Sequence, residues 1–464
     1  MKKITKKQYI KFTIAAILYG LFILWMQNGW LTLGYIIIAD VFLTKYIPWG
    51  AWKRSKNPKI RNILEWADDI IFALVAVYFI NIFFFQNYQI PSSSLEKSLL
   101  VGDYLFVSKL SYGPRVPNTP ISFPLVQNTL PILNCKSYLS WPEWGYKRVK
   151  GFGHVKRNDI VVFNFPAGDT VALNIQNPDY YTLEALYGRE RLHREKGTFG
   201  EIIYRPVDKR ENYVKRCVGM PGDTLQIINN QLYIDGILQQ DPEHMQLDYY
   251  IQTDGSQITE EQFRLLDVSR DERELVSNNG QYNEMLAEAG FTPDANGQFG
   301  IIYNVPLTRK GVEIAKKLPC VKNVILEPDG WQGGVYPLNY QTGWSRDNYG
   351  PIWIPKKGTT IPLDEYNMAL YGRCIHYEGN KWEIKNNKVF INGKEATSYT
   401  FQYDYYWMMG DNRHRSADSR SWGFVPEDHV VGKPLLIWLS IDKDRGWFEG
   451  HIRWNRMFRR VEAD

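Results

Sequence analysis

Hydrophobic positions in the first 87 residues fall into three long runs separated by polar or charged breaks. The first, Phe12 to Met26, follows Lys2, Lys3, Lys6, Lys7 and Lys11 and stops at Gln27-Asn28-Gly29-Trp30. The second extends from Leu31 to about Trp52 and is interrupted by Asp40 and Lys45; a basic loop with Lys53, Arg54, Lys56, Lys59 and Arg61 separates it from the third, Ile70 to Phe85. A bilayer-crossing helix needs roughly 20 such residues. The pattern therefore predicts an anchor, residues 1–87, of three transmembrane helices at about 9–29, 31–52 and 66–87. Both basic segments should face the cytoplasm. An even number of crossings must then lie between them, so the chain turns at Gln27-Asn28-Gly29 and everything after Phe85 is extracytoplasmic. No small-x-small cleavage site ends the first run, which reads as an anchor and not as a removable leader. Asp40 and Lys45 are expected near the inner interface, where a lysine can snorkel.

After Tyr88 the periodicity changes. Short β-type runs bounded by Gly, Pro, Asn and Asp recur at Tyr104–Val107, Ile160–Phe165, Tyr213–Val218, Leu225–Ile234, Val389–Ile391, Tyr403–Met408 and Leu435–Leu439. They predict a mainly β extracytoplasmic domain assembled from 88–240 and 381–464. Between them, 241–380 reads as a mixed α/β insertion. Thr259-Glu260-Glu261-Gln262 has the form of a capping box, Thr308 to Leu318 is a helix stopped by Pro319, and Asn283 to Ala289 is a third helix. No chemistry is assigned to this insertion, and it is expected to be accessory. I-I-N-N-Q-L-Y-I-D-G (227–236) is echoed by I-K-N-N-K-V-F-I-N-G (384–393), each a strand, an Asn-Asn turn, a strand and a closing turn. A-L-Y-G-R also occurs twice, at 185–189 and 369–373, but at a different offset, so a simple tandem duplication is excluded.

Composition sharpens this picture in three places. The net charge of +5 comes with positive residues clustered before residue 62, which fits membrane flanks; no nucleic-acid recognition motif is present. Many of the 16 Trp and 30 Tyr lie near apolar runs, as interfacial anchors do. Cys135, Cys217, Cys320 and Cys374 are far apart with no C-x-x-C pair, so no metal site or cofactor is expected, while one disulfide stays open in an oxidising space.

The chemistry concentrates in three stretches. Tyr88–Lys109, directly after the last membrane run, carries Ser92, Ser93 and Ser94. None of the seven histidines sits in a recognisable triad pattern, so the activating base must be sought elsewhere. A lysine can serve if neutral, which requires its pKa to fall from ~10.4 by a few units, as burial in an apolar site can achieve. Lys215 lies in Y-V-K-R-C-V-G-M-P-G-D (213–223), a strand pattern in which Lys215 and Arg216 face opposite ways and one of the two should point inward. Arg216 cannot deprotonate usefully, which leaves Lys215 as the candidate base. The third stretch, M-G-D-N-R-H-R-S-A-D-S-R-S-W-G-F-V-P (409–426), combines acids, arginines and hydroxyls in one loop. It can be held by ionic hydrogen bonds, such as Asp418 with Arg420 or Arg413, and it offers Ser416, Ser419 and Ser421 as donors.

Taken in this order after a membrane segment, these stretches resemble the bacterial type I signal peptidases (leader peptidases), membrane-bound serine proteases with a Ser-Lys dyad. The family's I-P-S-G-S-M-x-P-T-L-x-x-G-D corresponds to I-P-S-S-S-L-E-K-S-L-L-V-G-D (90–103), and its R-G-D-I-V-V-F to R-N-D-I-V-V-F (157–163). Its Y-x-K-R-x-x-G-x-P-G-D corresponds to 213–223, and its G-D-N-R-x-x-S-x-D-S-R-x-W-G to 410–423. The resemblance does not extend over most of 170–205 or 240–380. It implies a signal-peptidase-like β fold, Ser94 as nucleophile, Lys215 as general base, and Ser416 as the hydroxyl that orients the lysine. It further implies an oxyanion hole from the Ser94 N–H and the Ser92 hydroxyl, Asp418 and Arg420 as a supporting ion pair, and shallow pockets lined by Ile90, Pro91, Leu95, Tyr213 and Val214. The function implied is removal of signal peptides from exported preproteins after an Ala-x-Ala-like site at the outer face of the cytoplasmic membrane. The lipid bilayer and the secretion translocon are the further partners, with no cofactor and no nucleic acid.

Four departures stand out: Ser93 for the usual Gly, Leu95 for Met, Lys97 for Pro and Ser98 for Thr. His414 and Arg415 also stand where the family often has Asp-Asn. A serine at position 93 would be strained if φ were positive there. The competing readings are a catalytically silent scaffold of the same fold, disfavoured because Ser94, Lys215 and Ser416 are all present, and a self-cleaving Ser-Lys peptidase, disfavoured by the membrane spans and by the lack of a DNA-binding segment.

Overall fold

The computed structural model describes residues 5–50, 57–276 and 283–461. The chain divides into two compact units, Met1–Gln86 with Lys109–Gly153, and Asn87–Ser108 with His154–Asp464.

In the first unit, helix Lys6–Met26 starts in a capping box at Thr5 and ends where Gln27 turns left-handed (φ 48). The next helical run, Gly29–Thr44, doubles back on it, as the predicted break requires. Tyr19 Oη donates to the Leu31 carbonyl at 2.6 Å and Tyr35 Oη to the Ala16 carbonyl at 3.1 Å. Small residues make this approach possible: a Cβ on Gly34 would lie 2.1 Å from Tyr19 Oη, and one on Gly20 2.6 Å from Tyr35 Oη. The run stops at Lys45 (φ 52), several residues short of the predicted 52. Asp40 ends it: its carboxylate accepts from the N–H groups of Tyr46 (2.7 Å) and Ile47 (3.1 Å) and from Trp49 Nε1 (2.9 Å). The apolar end at Trp52 and the basic residues Lys2, Lys3, Lys53, Arg54 and Lys56 lie outside the described residues. A third helix, Pro58–Phe83, begins earlier than predicted, with proline in its first turn, where a missing N–H costs nothing, and Asn57 as cap. Among the described residues one helix, Lys6–Met26, is long and apolar enough to cross a membrane; Gly29–Thr44 is a shorter apolar helix. Residues 109–153 carry isolated bridges such as Arg115 with Arg148, and their Val116 and Val149 are buried with Met26 and Phe83.

The second unit is mainly β. Its eight-stranded sheet runs in the order Phe85–Gln89, Asp103–Ser108, Val430–Ser440, Ile160–Asn164, Asn212–Gly219, Tyr405–Met409 and Val425–Pro426, with Arg459–Arg460 also paired to Val430–Ser440. Each predicted β run falls on one of these strands or on a hairpin beside them. Both Asn-Asn echoes are hairpins: Ile228 pairs with Gln231 across Asn229 (φ 49) and Asn230 (φ 67), and Lys385 with Lys388 across Asn386 (φ 50) and Asn387 (φ 60). Two consecutive positive φ values suit a right-twisted hairpin, and asparagine tolerates them.

The insertion carries its own four-stranded sheet, in the order Glu274–Leu275, Ile302–Leu307, Leu247–Thr253, Val321–Leu326. Its helices start as read: Thr259 closes a capping box on Glu260–Leu265, and Thr308 caps Arg309–Ala315. The expected end of the insertion at 380 is corrected: from Val335 and Tyr336 on, the chain is packed in the main core. Tyr349, Ile352, Leu370 and Tyr371 are buried in one cluster with Val218, Leu225, Phe401 and Trp407. Three short helices between Tyr180 and Phe199, not anticipated from the pattern, bury Leu183, Leu192 and Phe199.

Candidate active site

The serine cluster leaves the edge strand at Ile90, whose N–H donates to the Asp103 carbonyl (2.9 Å) and whose carbonyl accepts from Gly102 N–H (3.0 Å). Ser93–Leu95 then form one 3-10 turn, pinned by Leu95 and Leu99, which are buried with Ile90, Leu105 and Ile160. Ser93 has no positive φ; the left-handed residue is Lys97 (φ 73). The strain anticipated for serine therefore falls four residues later. Lys97 Nζ is held there by the Asp267 carboxylate at 3.2 Å.

Lys215 sits on the central strand Asn212–Gly219, and its Nζ donates to Ser94 Oγ at 2.5 Å. The serine is 6 % exposed and the lysine 3 %. Burial drives the Lys215 ammonium down to about 8, against the upward pull of Asp418 and Asp411. The expectation that one of Lys215 and Arg216 points inward is corrected: both are buried, Lys215 against Ser94 and Arg216 against Asp411. Arg216 grips Asp411 with two bonds of 2.8 Å, and Asp411 also accepts from Ser98 Oγ at 2.7 Å. Burial favours the neutral Asp411 acid, but the Arg216 pair outweighs it and holds the carboxyl below its ordinary value.

The loop 409–426 wraps this pair. Asn412 N–H donates to the Ser94 carbonyl at 3.1 Å. Asp418 accepts from Arg420 Nε (3.0 Å), Arg420 Nη2 (2.8 Å) and Gly410 N–H (3.1 Å). Burial alone would raise the Asp418 carboxyl; Arg420 overrides it and keeps it at about 2. Ser416 is 1 % exposed. Its Oγ donates to the Ala417 carbonyl at 3.4 Å, and its approach to Ser94 depends on Gly410, which no motif role had marked. A Cβ on Gly410 would lie 2.3 Å from Ser416 Oγ and 2.5 Å from the Ser94 carbonyl oxygen, so Gly410 is the spacer across which these two serines meet. The signal was available in the sequence as the glycine opening the G-D-N-R box. Gly410→Ala should lower kcat at least tenfold in a protein that still unfolds cooperatively, measured by steady-state cleavage beside thermal melting.

Of the residues expected to line the pockets, Ile90 and Leu95 are buried together with Val214 packed against them. Tyr213 stacks edge-on against Phe165, with ring centres 4.6 Å apart. Pro91 and Ser92 are exposed beside them. Strand Tyr405–Met409 pairs with Arg216, Cys217 and Gly219, so its register stops short of Tyr213–Lys215 and leaves that stretch without this neighbour. All four cysteines are free thiols, and among the described residues no group of three His, Cys, Asp or Glu is placed to hold a metal ion.

The model of the family described as "Signal peptidase, peptidase S26" matches residues 63–282 and 398–439, more than half of the chain and all four motif stretches. The chain belongs to this signal peptidase family. The chain is also similar to Signal peptidase I of Buchnera aphidicola subsp. Baizongia pistaciae, 23 % identical over 421 residues, covering 91 % of each protein. Signal peptidase I of Helicobacter pylori strain ATCC 700392 / 26695 is 29 % identical over 413 residues, 86 % of this chain and 91 % of the relative. That of Haemophilus influenzae is 21 % identical over 416 residues, 88 % and 79 %. The stretch 283–397 lies outside the family match, and this includes most of the insertion.

Proposed function

We propose that Ser94 and Lys215 are the catalytic pair with which this chain, a serine endopeptidase acting on preproteins that carry a signal peptide, cuts after a small-x-small site. The observation that carries the assignment is the 2.5 Å contact between Ser94 Oγ and a buried Lys215 Nζ. Neutral Lys215 takes the Ser94 proton as Oγ attacks the scissile carbonyl. The same proton passes to the leaving amine, and water, activated in turn by Lys215, releases the signal peptide from the acyl-enzyme. Ser94 N–H and the Ser92 hydroxyl receive the oxyanion, Ser416 orients the lysine, and the Asp418–Arg420 pair holds the loop.

Substrate enters as an extended strand along Tyr213–Lys215, where backbone pairing gives affinity. The apolar wall of Ile90, Pro91, Leu95, Tyr213 and Val214 admits small side chains. The silent-scaffold alternative has no observation in its favour: a merely structural lysine would not need burial against a serine hydroxyl. The 88–240 and 381–464 segments, joined by the returning stretch from Val335 to residue 380, form the catalytic domain, and the insertion is the part with its own sheet, Leu247–Leu326. The multi-pass anchor also belongs to this reading: Gly29–Thr44 and Pro58–Phe83 join Lys6–Met26 in the cytoplasmic membrane, with the lipid bilayer and the translocon as partners and the catalytic domain outside.

The test is cleavage of a synthetic precursor with an Ala-x-Ala site by the protein in detergent. Wild type should cut after the second alanine. Ser92→Ala should lose about 10²-fold in kcat, the usual cost of one oxyanion donor. Failure of folded wild type to cut several such precursors would sink the assignment.

A further inference from the structure

The loop that carries Ser416 is gripped from outside the catalytic sheet. Three consecutive residues of it, His414, Arg415 and Ser416, are held by residues of the 241–380 region. The His414 ring lies between two carboxylates, Nε2 at 2.9 Å from Asp347 and Nδ1 at 3.1 Å from Glu327. Arg415 Nε donates to both oxygens of Asp248 (3.0 and 2.8 Å), and its Nη1 donates to the Glu272 carbonyl (2.8 Å). Arg346 Nη1 donates to the Ser416 carbonyl itself (3.0 Å), and its Nη2 to Ser421 Oγ (3.0 Å). The Glu272 side chain reaches Asn412, whose N–H holds the Ser94 carbonyl.

These contacts are buried. His414, Asp248, Asp347 and Glu272 are all largely withdrawn from solvent. Charged hydrogen bonds in such surroundings are short and directional, so they fix geometry more sharply than surface pairs do.

We propose that the 241–380 region is a positioning device for the catalytic loop, in which Asp248 and Arg346 hold Arg415 and the Ser416 backbone and so fix the Ser416 hydroxyl, which donates to the Ala417 carbonyl (3.4 Å), in its place beside Ser94. The inference rests on the assignment of Ser416 as the residue that orients the lysine. Asp248 and Arg346 touch neither substrate nor reacting atoms; they act through Ser416. The 241–380 region, expected from the sequence to be accessory, on this account raises the rate of turnover.

The test is a pair of double-mutant cycles on the full-length protein in detergent, with kcat, KM and melting temperature measured for each variant. Asp248→Asn keeps the shape and removes the charge, and Arg346→Lys keeps the charge and removes the fork. Each should lower kcat about tenfold with KM changed less than twofold, and Asp248→Glu should recover part of the loss. In a Ser416→Ala background neither should lower kcat further, because residues acting through one another are not additive. Full kcat in both single variants, or the same tenfold loss in the Ser416→Ala background, would overturn the positioning role. A Ser416→Ala protein as active as wild type would instead overturn the assignment of Ser416 and the inference with it.

Discussion

Ser94→Ala and Lys215→Ala should each abolish cleavage of an Ala-x-Ala precursor, with losses of about 10⁴–10⁶ in kcat, and the double variant should be no worse than either single one. Residues that act as a unit lose nearly everything at the first deletion. The expectation follows from a 2.5 Å contact between two buried groups. Lys215→Ala opens a cavity at a buried site but also removes an amine that is costly to hold charged, so both variants should still unfold cooperatively. A drop in activity accompanied by loss of cooperative unfolding would point to collapse of the site and not to chemistry, so activity and melting must be read together.

The second large effect is on pH. With Lys215 lowered to about 8 by burial, kcat/KM should rise tenfold per unit from acid, level off above pH 8, and span about a thousandfold between pH 5 and pH 9. The sign follows from the role: the base works only without its proton, and burial favours the uncharged amine, so activity is lost as pH falls through 8. One other group near Ser94 titrates in the range. Burial pushes the Glu96 carboxyl up to about 7, with Lys97 pulling it back down. Glu96→Gln should leave the limb centred near 8 in place, which separates the two groups. A profile flat from pH 5 to 9 in both proteins would remove the lysine as base.

Much of this was legible before the fold, for identifiable reasons. The four motif stretches are local, and each needs its residue types in one strand or turn. The Asn-Asn hairpins and the Thr259 capping box are likewise closed within ten residues, so their chemistry is written in sequence. What stayed hidden depends on contacts between distant segments. Nothing near Lys215 in the chain announces that Arg216 is buried as well; its partner Asp411 lies 195 residues away. The packing of Tyr349 and Tyr371 against Val218 and Trp407 is equally non-local. So is the grip on His414-Arg415-Ser416, whose partners lie between 67 and 167 residues away. The extent of the second membrane run was overread because apolar composition continues past Thr44, while the helix is ended by Asp40 folding its carboxylate over the following N–H groups. The helices between Tyr180 and Phe199 are six to eight residues or shorter, too brief to establish a period.

The most direct test of the central claim is to find where the acyl group rests. Turnover of an Ala-x-Ala precursor would be quenched in acid, and the protein digested and mapped by mass. Ser92, Ser93 and Ser94 lie together, so the position of the adduct discriminates among them. The account predicts the mass of the signal-peptide acyl group on Ser94 in the wild-type protein, and none in Ser94→Ala or Lys215→Ala. An acyl group on Ser92 or Ser93, or an adduct that forms undiminished without Lys215, would contradict it.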